Sequence, residues 1–520
     1  MEVLMHIRIC SITLGVFFVI VSVLRGECEV MSAEPEFVDA TDQVGGFNPK
    51  EGSEILRRPM LVDVDGDGFE DILVWTTDKW TVRLFMNYEG RKFVDETEER
   101  GLGGDWGKRK NIHHCTALDF RNQGHYDLFI GHPEHGGSDI RLFLNDGTGH
   151  FTNSGLSFPR GSKGSGAVDV NGDGFLDLFD SGGDARDGGT LFINHNGESL
   201  VDETLERFGG SRPFGYQGPV FADFDNDGCP DIFTTGNYYS HCYLYRNDGE
   251  GRFIDVTDQY DLTFKEECDG ANGAVFADLN NSGNLDLVVV NNGTVWIHEN
   301  VDNGRSFPRR AVIQAKDFEA DPHKWAGEAA MVADFDNDGY LDIWVVGSQY
   351  IYRNEGDFRF TRAWPVPIAR TEPSRQACFG DVNNDGKIDI LYGSFQPGRL
   401  QFIRNDMPDE DNWLQVNLIG PYGDAGGYGV RVSAFDAGHA GDMAHFKGMR
   451  ESGSGYMYHV SPTRILHFGG LNADNKYDLL VRLPFRRGEF VVPAIQPGRR
   501  ITIDCRNPNS EIGRIYYWRP

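Results

Sequence analysis

Short apolar runs separated by acidic, glycine-containing loops recur along most of this chain. One run precedes each loop, as in PVFAD, and a second follows it, as in DIFTTG. A third apolar run ends at an asparagine, as in LYRNDG, and a fourth carries the pattern F-x-D-x-T, as in RFIDVT. Runs of this length bounded by Gly, Asn and Asp are typical of β-strands. The pattern therefore predicts four short strands in each repeat.

The acidic loop occurs seven times, in copies that start 47 to 56 residues apart. Each copy keeps Asp at position 1, Gly at position 6 and Asp at position 9. The copies begin at Asp63, Asp119, Asp169, Asp223, Asp278, Asp334 and Asp381. Four strands in a repeat of about 50 residues are typical of a propeller blade. We therefore predict an all-β protein, with a seven-bladed β-propeller over residues 34–408 and a small C-terminal β domain over residues 411–520.

The two ends of the repeat region complement each other. The last repeat ends at Asn405 without an F-x-D-x-T strand, and the sequence EFVDAT at residues 36–41 supplies that missing piece. A linear array of blades would leave exposed sheet edges, which closure removes. We therefore expect the N-terminal segment to form the outer strand of blade 7.

The acidic loops have the composition of calcium sites. Side chains at positions 1, 3, 5 and 9 can converge on one ion, and Gly at position 6 permits the sharp turn that this requires. Strands flank the loop, so the predicted site pins a hairpin rather than a helix pair. The alternative is a set of Asx turns that need no ion, although three or four unneutralised carboxylates this close together would repel one another.

The copies differ in the ligands that they offer. Blades 1, 4 and 6 have four Asp each, whereas blades 3 and 7 have three Asp and one Asn. The predicted Ca²⁺ ligands are Asp63, Asp65, Asp67, Asp71, Asp169, Asn171, Asp173, Asp177, Asp223, Asp225, Asp227, Asp231, Asp334, Asp336, Asp338, Asp342, Asp381, Asn383, Asp385 and Asp389. Blade 5 offers weaker calcium ligands, because Asn280 and Ser282 stand at positions 3 and 5 of its loop. Blade 2 is expected to hold no ion, because Arg121 can pair with Asp119 and Asp127 instead.

These repeats resemble the FG-GAP/VCBS repeats of integrin-α-like propellers, in which such loops lie on one face. The segment from Asn412 onward resembles the ASPIC/UnbV domain through GGYGVRV, SGSGY, ILHFGG and DLLVRLP, although LPFRRG stands where that domain usually has W-P-S-G. A propeller followed by this domain is the arrangement of the cartilage acidic protein family. The resemblance implies a secreted protein with an adhesive or matrix-like role.

The propeller face opposite the acidic loops is the predicted ligand site. The residue six positions before each loop is polar in all seven repeats, and we expect these residues at the mouth of the central channel. They are Arg57, His113, Lys163, Gln217, Asn272, Glu328 and Arg375. A polar ring at a concave mouth is typical of a ligand site, and because three or four of its members are potentially basic, an anionic ligand such as an acidic sugar would suit it. Polar residues are also expected wherever a strand enters from solvent.

Blade 2 carries a second candidate site on the same face. His114, His132 and His135 join His113 there, and four imidazoles could hold zinc or transfer protons. This leaves a carbohydrate lyase or dehydratase as an alternative function. The sequence contains no nucleophile elbow, zinc-protease motif or nucleotide-binding loop, which favours a binding module for an extracellular glycan or protein over an enzyme.

The N-terminal segment predicts export from the cell, and the net charge bears on the class of partner. Arg8 precedes the apolar run Ile12–Leu24, which is short for a membrane span and typical of a signal peptide, predicted at residues 1–30. We expect no membrane span after cleavage, and a secreted, periplasmic or cell-surface location; the alternative is that the apolar run stays uncleaved as a single-span anchor. The net charge of −30 excludes a nucleic-acid partner, since phosphate binding needs a basic face.

Overall fold

The structure is a computed structural model. It describes residues 36–45, 47, 56–76, 82–103, 114–131, 140–158, 164–181, 188–214, 218–236, 241–260, 271–315, 327–368, 376–393, 400–408, 411–453, 460–506 and 515–517. All of them belong to one unit, Ala33–Pro520. The predicted signal peptide lies outside the described residues. Within them, no helix is both long enough and apolar enough to cross a bilayer.

Seven antiparallel sheets, one for each acidic repeat, form the described part of residues 37–405. Blade 1 contains β2 (Leu56–Val62), β3 (Asp71–Thr76), β4 (Val82–Tyr88) and β5 (Lys92–Asp95). Blade 2 contains β6 (His114–Leu118), β7 (Asp127–Gly131), β8 (Ile140–Asn145) and β9 (Phe151–Phe158). Blade 3 contains β10 (Ser165–Val168), β11 (Asp177–Asp180), β12 (Thr190–His195) and β13 (Ser199–Asp202), and blade 4 contains β14 (Pro219–Ala222), β15 (Asp231–Thr234), β16 (Tyr243–Asn247) and β17 (Phe253–Asp255).

The remaining three sheets follow the same order. Blade 5 contains β18 (Gly273–Ala277), β19 (Asp286–Asn291), β20 (Thr294–His298) and β21 (Arg309–Gln314). Blade 6 contains β22 (Ala330–Ala333), β23 (Asp342–Val345), β24 (Tyr350–Asn354) and β25 (Phe360–Pro365). Blade 7 contains β26 (Ala377–Gly380), β27 (Asp389–Tyr392), β28 (Gln401–Asn405) and β1 (Phe37–Asp39). The acidic loop joins the first and second strands of every blade. The prediction of an all-β propeller is confirmed.

Burial falls from the first strand of a blade to the last. Every residue of β14 and β15 is buried, whereas two of the three residues of β17 are exposed. The apolar residues of the inner strands fill the space between neighbouring blades, as where Val168 and Phe179 of blade 3 meet Phe221 and Ile232 of blade 4. Strands buried on both faces read as continuous apolar runs, which explains why PVFAD and DIFTTG do not alternate.

The N-terminal strand closes blade 7. Here β1 pairs antiparallel with β28, with Phe37 opposite Asn405. Thr41 Oγ1 accepts the Phe402 N–H at 2.9 Å, as Thr97 accepts the Leu84 N–H within blade 1 at 3.0 Å. The segment 36–41 therefore makes in blade 7 the contact that the fourth-strand motif makes in blade 1, as its sequence predicts.

A buried asparagine at the end of each third strand joins neighbouring blades. In every case the side-chain amide donates to a backbone carbonyl of the preceding blade, at 2.7–2.9 Å. The pairs are Asn87–Val382, Asn145–Val64, Asn194–Phe120, Asn247–Val170, Asn300–Phe224, Asn354–Leu279 and Asn405–Phe335. Since the first of these joins blade 1 to blade 7, the series forms a closed ring.

The C-terminal segment forms two four-stranded sheets around one core. They contain β29 (Leu414–Ile419), β30 (Arg431–Asp436), β31 (Phe446–Glu451), β33 (Leu466–Phe468), β34 (Tyr477–Arg482), β35 (Glu489–Ile495), β36 (Arg499–Asp504) and β37 (Ile515–Tyr517). The remaining strand, β32 (Val460–Pro462), leaves these sheets and pairs parallel with β26 of blade 7. One strand of the C-terminal segment therefore extends the sheet of blade 7.

The described helices are all short. Two are α-helices, α1 (Thr41–Val44) and α2 (Thr204–Arg207), and three are 3₁₀-helices, at Thr257–Tyr260, Met443–His445 and Pro484–Arg486. The first three follow the F-x-D-x-T strand or its equivalent in their blades. Their leading Thr donates its N–H to the Asp two residues before it, as Thr204 does to Asp202 at 3.1 Å.

Candidate metal centres on the acidic loops

The loop of blade 1 shows how the conserved positions are used. Asp63 directly follows β2, and its two oxygens accept the N–H groups of Gly66 at 2.7 Å and Gly68 at 2.9 Å. Gly68 has φ +91°, a left-handed conformation that favours glycine. Asp71 begins β3 and accepts the Val64 N–H at 3.1 Å. These bonds turn the carboxylates at positions 1 and 9 toward one another.

The three loops with four aspartates bring their carboxylates together. In each, ligand oxygens from positions 1, 3 and 9 lie within 4.8 Å of one another. The groups are Asp63, Asp65 and Asp71; Asp223, Asp225 and Asp231; and Asp334, Asp336 and Asp342. Oxygens on opposite sides of a Ca²⁺ ion lie about 5 Å apart, because each is about 2.3–2.6 Å from the ion. The spacing therefore fits this ion.

Because these carboxylates are buried, their deprotonation is unfavourable unless a cation is bound. Desolvation raises the pKa of Asp63 to about 6 and that of Asp223 to about 7, and it raises the pKa of Asp71 well above its usual value. Neighbouring carboxylates raise all three further. A divalent cation would favour the charged forms.

Two of the clusters also contain carboxylate oxygens that need a partner. Within the described residues, Asp223 Oδ1 and Asp336 Oδ1 are buried and accept no hydrogen bond. A buried polar atom without a partner costs about 1–3 kcal/mol, and more when it is charged. A bound cation would remove this cost, so the donor set fits a hard divalent ion.

The loops of blades 3 and 7 have an amide at position 3, where the loops of blades 1, 4 and 6 have a carboxylate. Asn171 Nδ2 donates to Asp173 at 3.0 Å, and Asn383 Nδ2 donates to Asp385 at the same distance. Burial raises the pKa of both first-position residues, Asp169 and Asp381, to about 6. These loops keep the geometry of the four-aspartate loops but carry one negative charge fewer.

Blade 2 differs from the other loops because a guanidinium lies inside it. Arg121 Nη2 contacts Asp127 at 2.8 Å and donates to the Asn145 carbonyl at 2.6 Å. The expected pairing of Arg121 with Asp119 is wrong. That carboxylate accepts N–H groups from Gln123 and Gly124 in its own loop and from Ala425 in the C-terminal segment. The arginine satisfies only one of the two conserved carboxylates.

The sequence did not predict that an arginine side chain lies beside the blade 6 loop. In blade 6, Arg353 Nε contacts Asp336 at 2.7 Å and Nη2 contacts Asp338 at 2.9 Å. Arg353 precedes the conserved Asn354, and the same R-N pair in blades 4 and 7 was the available signal. A cation entering blade 6 would share these carboxylates with Arg353.

The C-terminal segment covers the loop face of the propeller. Its side chains reach loop residues at 2.8–3.0 Å in blades 1, 3, 4, 6 and 7. The pairs are Arg500 with the Gly68 carbonyl, Tyr422 with the Gly172 carbonyl, Arg431 with the Asp223 carbonyl, Asn412 with the Asn337 carbonyl and Gln415 with the Asp381 carboxylate. The segment therefore contacts the acidic loops directly.

The same segment reaches the inner strands of the propeller. Beyond β32, Thr463 Oγ1 donates to Glu70 Oε1 at 2.7 Å. Burial raises the pKa of Glu70 to about 7. A cavity of about 100 Å³ remains there, lined by Asp278, Asp334 and Arg450 among others. The C-terminal segment therefore lines this cavity together with the acidic loops.

The predicted ligand ring on the opposite face is only partly described. Arg57 is half-buried, whereas Asn272 and Glu328 are each 1% exposed. These two lie inside the protein rather than at an open mouth, because the strands of blades 5 and 6 pack closely beside them, with Gly273 against the Glu328 carbonyl. The other predicted residues, His113, His132, His135, Lys163, Gln217, Arg375 and the side chain of His114, lie outside the described residues.

Comparisons with known proteins match the repeats. The FG-GAP-like repeat family matches residues 119–179, 169–234, 230–289, 278–345 and 334–392. Cartilage acidic protein 1 of Xenopus tropicalis is 23% identical over 450 residues, which cover 81% of this chain and 60% of the relative. The human protein of that name is 25% identical over 438 residues, covering 78% of this chain and 57% of the relative. The chain thus spans about three fifths of these relatives' length.

Solved structures resemble the chain more distantly. An Agrocybe aegerita lectin, described for its recognition of non-reducing terminal N-acetylglucosamine, is 20% identical, with a TM-score of 0.43, and covers 60% of this chain and 80% of its own. The exotype rhamnogalacturonan lyase YesX is 13% identical, with a TM-score of 0.35, and covers 66% and 61%. Likenesses at these scores do not bear on function.

Proposed function

Because the chain belongs to the FG-GAP-like repeat family, we propose that it is a secreted, calcium-stabilised propeller that binds an extracellular glycan or protein. The observation that carries the calcium part is the clustering of buried carboxylates in blades 1, 4 and 6, with Asp223 Oδ1 and Asp336 Oδ1 lacking hydrogen bonds among the described residues. Calcium binding at hairpins between inner strands would stabilise the fold rather than perform chemistry.

Two observations support an extracellular location. A signal peptide is predicted at residues 1–30, and Cys242 is disulfide-bonded. Disulfides persist in oxidising compartments and are rare in the cytosol. Immunodetection of the tagged full-length protein in culture medium or periplasm tests the location, and retention in the cytosol with an intact N-terminus would refute it.

The face opposite the acidic loops is the proposed ligand surface. The C-terminal segment already contacts the loop face, so a glycan or protein would have to displace it to bind there. The first strand of each blade starts at the opposite face, and Arg57 lies near the start of that strand in blade 1. A guanidinium there suits an acidic ligand.

Calcium is tested by metal analysis and melting. Each site that is occupied at a calcium concentration about 100 times its Kd adds about 2.7 kcal/mol to the unfolding free energy. We expect EDTA to lower the melting temperature markedly and Asp223→Asn to remove one calcium per chain. The matched control is Asp474→Asn, an exposed aspartate outside the loops. An unchanged melt with EDTA and no bound calcium would refute the proposal.

Ligand binding is tested with glycan arrays and with turnover assays on acidic polysaccharides. We expect binding without product, weakened by Arg57→Gln and retained by Arg482→Gln, whose exposed guanidinium pairs with Glu489 at 3.0 Å. Measured turnover that Arg57→Gln abolishes would favour a lyase or dehydratase. If both variants bind equally well, the ligand does not occupy this face.

A further inference from the structure

The loop between β30 and β31 carries chemistry that the acidic repeats do not use. Its sequence, DAGHAGDMAH, places Asp436, His439, Asp442 and His445 at intervals of three residues. The loop lies in the C-terminal segment, and its side chains are distinct from those of the propeller loops. Two of the four are imidazoles, which suit transition-metal ions better than calcium.

Three consecutive turns bring these residues onto one side of the loop. Backbone N–H groups donate from His439 to the Asp436 carbonyl at 3.1 Å, from Asp442 to His439 at 2.9 Å and from His445 to Asp442 at 2.9 Å. Gly438 and Gly441 supply the positive φ, 83° and 88°, that the first two turns need at their third position.

The side chains on this side meet at one point. The imidazole rings of His439 and His445 stack with their centroids 3.7 Å apart and their planes 18° apart. One ligand atom each from His439, Asp442 and His445 lies within 4.8 Å of the other two. Ligands of a tetrahedral Zn²⁺ lie about 3.3 Å apart, since each is about 2.0–2.1 Å from the metal. The two rings would have to turn out of this stacked arrangement for their nitrogen lone pairs to converge on one ion.

A fourth residue supports one of these ligands. His445 Nδ1 lies 3.0 Å from Asp436 Oδ2, which leaves Nε2 as the nitrogen available to a metal ion. Lys447 Nζ contacts the other oxygen of Asp436 at 3.0 Å and holds the carboxylate in place. Metal-ligating histidines commonly donate their second nitrogen to a carboxylate in this way, which fixes the tautomer and the ring orientation.

We propose that His439, Asp442 and His445 bind a divalent transition-metal ion of the zinc class, with Asp436 as the residue that positions His445. Two imidazole nitrogens and one carboxylate oxygen form a donor set that zinc accepts, with a fourth position left for water or a ligand group. His439 and Asp442 are exposed, so the ion can enter from solvent. This site is independent of the calcium proposed for the propeller.

Zinc titration of the full chain in saturating calcium tests the proposal. We expect calorimetry and elemental analysis after dialysis to show one zinc per chain that the double variant His439→Ala, His445→Ala lacks. Asp436→Asn should keep the stoichiometry and weaken the affinity about 10–100-fold. The matched control is His195→Ala, an exposed imidazole that lies 3.2 Å from the single carboxylate of Glu203.

Two further measurements separate loss of the site from loss of the fold. Melting of the double variant without zinc should match the parent, because the substituted side chains lie on an outer loop. Zinc-edge absorption spectroscopy should show two imidazole ligands in the parent. If the double variant binds as much zinc as the parent with equal affinity, or the parent spectrum shows no imidazole, the proposal is wrong.

Discussion

Replacing Asn87 by alanine tests whether the propeller is closed. The Asn87 side chain is 3% exposed. Its amide donates to the Glu70 and Val382 carbonyls at 2.9 Å each, and its oxygen accepts the Gly90 N–H at 2.8 Å. A buried hydrogen bond contributes about 1 kcal/mol, so Asn87→Ala should lower the unfolding free energy by about 3 kcal/mol.

The comparison is with Asn247, which makes the equivalent contacts between adjacent blades 4 and 3. Its amide donates to Pro230 and Val170, and its oxygen accepts from Gly249 and Gly251. If blades 7 and 1 pack as blades 3 and 4 do, Asn247→Ala and Asn87→Ala should cost the same within about 1 kcal/mol.

Urea denaturation followed by circular dichroism, in saturating calcium, measures both costs. The exposed Asn475→Ala serves as the control and should change the free energy by less than about 0.5 kcal/mol. Only the bond to Val382 joins blades 1 and 7, so a cost of about 2 kcal/mol or less for Asn87→Ala beside about 4 kcal/mol for Asn247→Ala would refute closure through these blades.

Three further predictions follow from contacts in the structure. Thr41→Val leaves the buried Phe402 N–H without its acceptor and should cost about 2 kcal/mol in urea denaturation, whereas the exposed Thr152→Val should cost less than about 0.5 kcal/mol. Burial lowers the pKa of His467 to about 3. Its neutral form contributes stability that is complete above pH 6.5 and is lost as the pH falls toward 3, about 2 kcal/mol of it by pH 5. His467→Gln should remove that share of the pH dependence, and equal slopes for both proteins would contradict the reasoning. Arg121→Asp with Gln123→Asp restores four aspartates to blade 2 and should add one calcium per chain by elemental analysis, and an unchanged calcium content would count against the ligand pattern.

The repeat made most of the fold predictable. Asp, Gly and Asn at fixed positions of the loop and the third strand are local requirements, because a hairpin turn needs them wherever it occurs. The closing strand could be found because the motif missing after Asn405 stands at residues 36–41. The spacing D-x-x-H-x-x-D-x-x-H at residues 436–445 was equally visible, but it matches no helix or strand period and becomes meaningful only with three-residue turns.

Contacts between distant segments could not be predicted in this way. Arg353 lies beside the blade 6 loop because β24 carries it there, and the sequence separates it from Asp336 by 17 residues. Asn272 and Glu328 are polar and precede strands, so they resemble surface residues. Their burial depends on the packing of blades 5 and 6 against each other. The predicted partner Asp119 for Arg121 failed for a similar reason, since Ala425 of a distant segment donates to it.

The sequence by itself determined the blade and its loop, because strand length, turn geometry and ligand spacing are set within about 50 residues. Only the tertiary structure decided that the C-terminal segment covers the face that carries the acidic loops, since the contacts of Tyr422, Arg431 and Arg500 join segments more than 200 residues apart. The stretch DVDGDGFED could therefore be read as a metal loop from its own residues. The folded chain was needed to show that the C-terminal segment contacts this loop and that β32 lies beside blade 7.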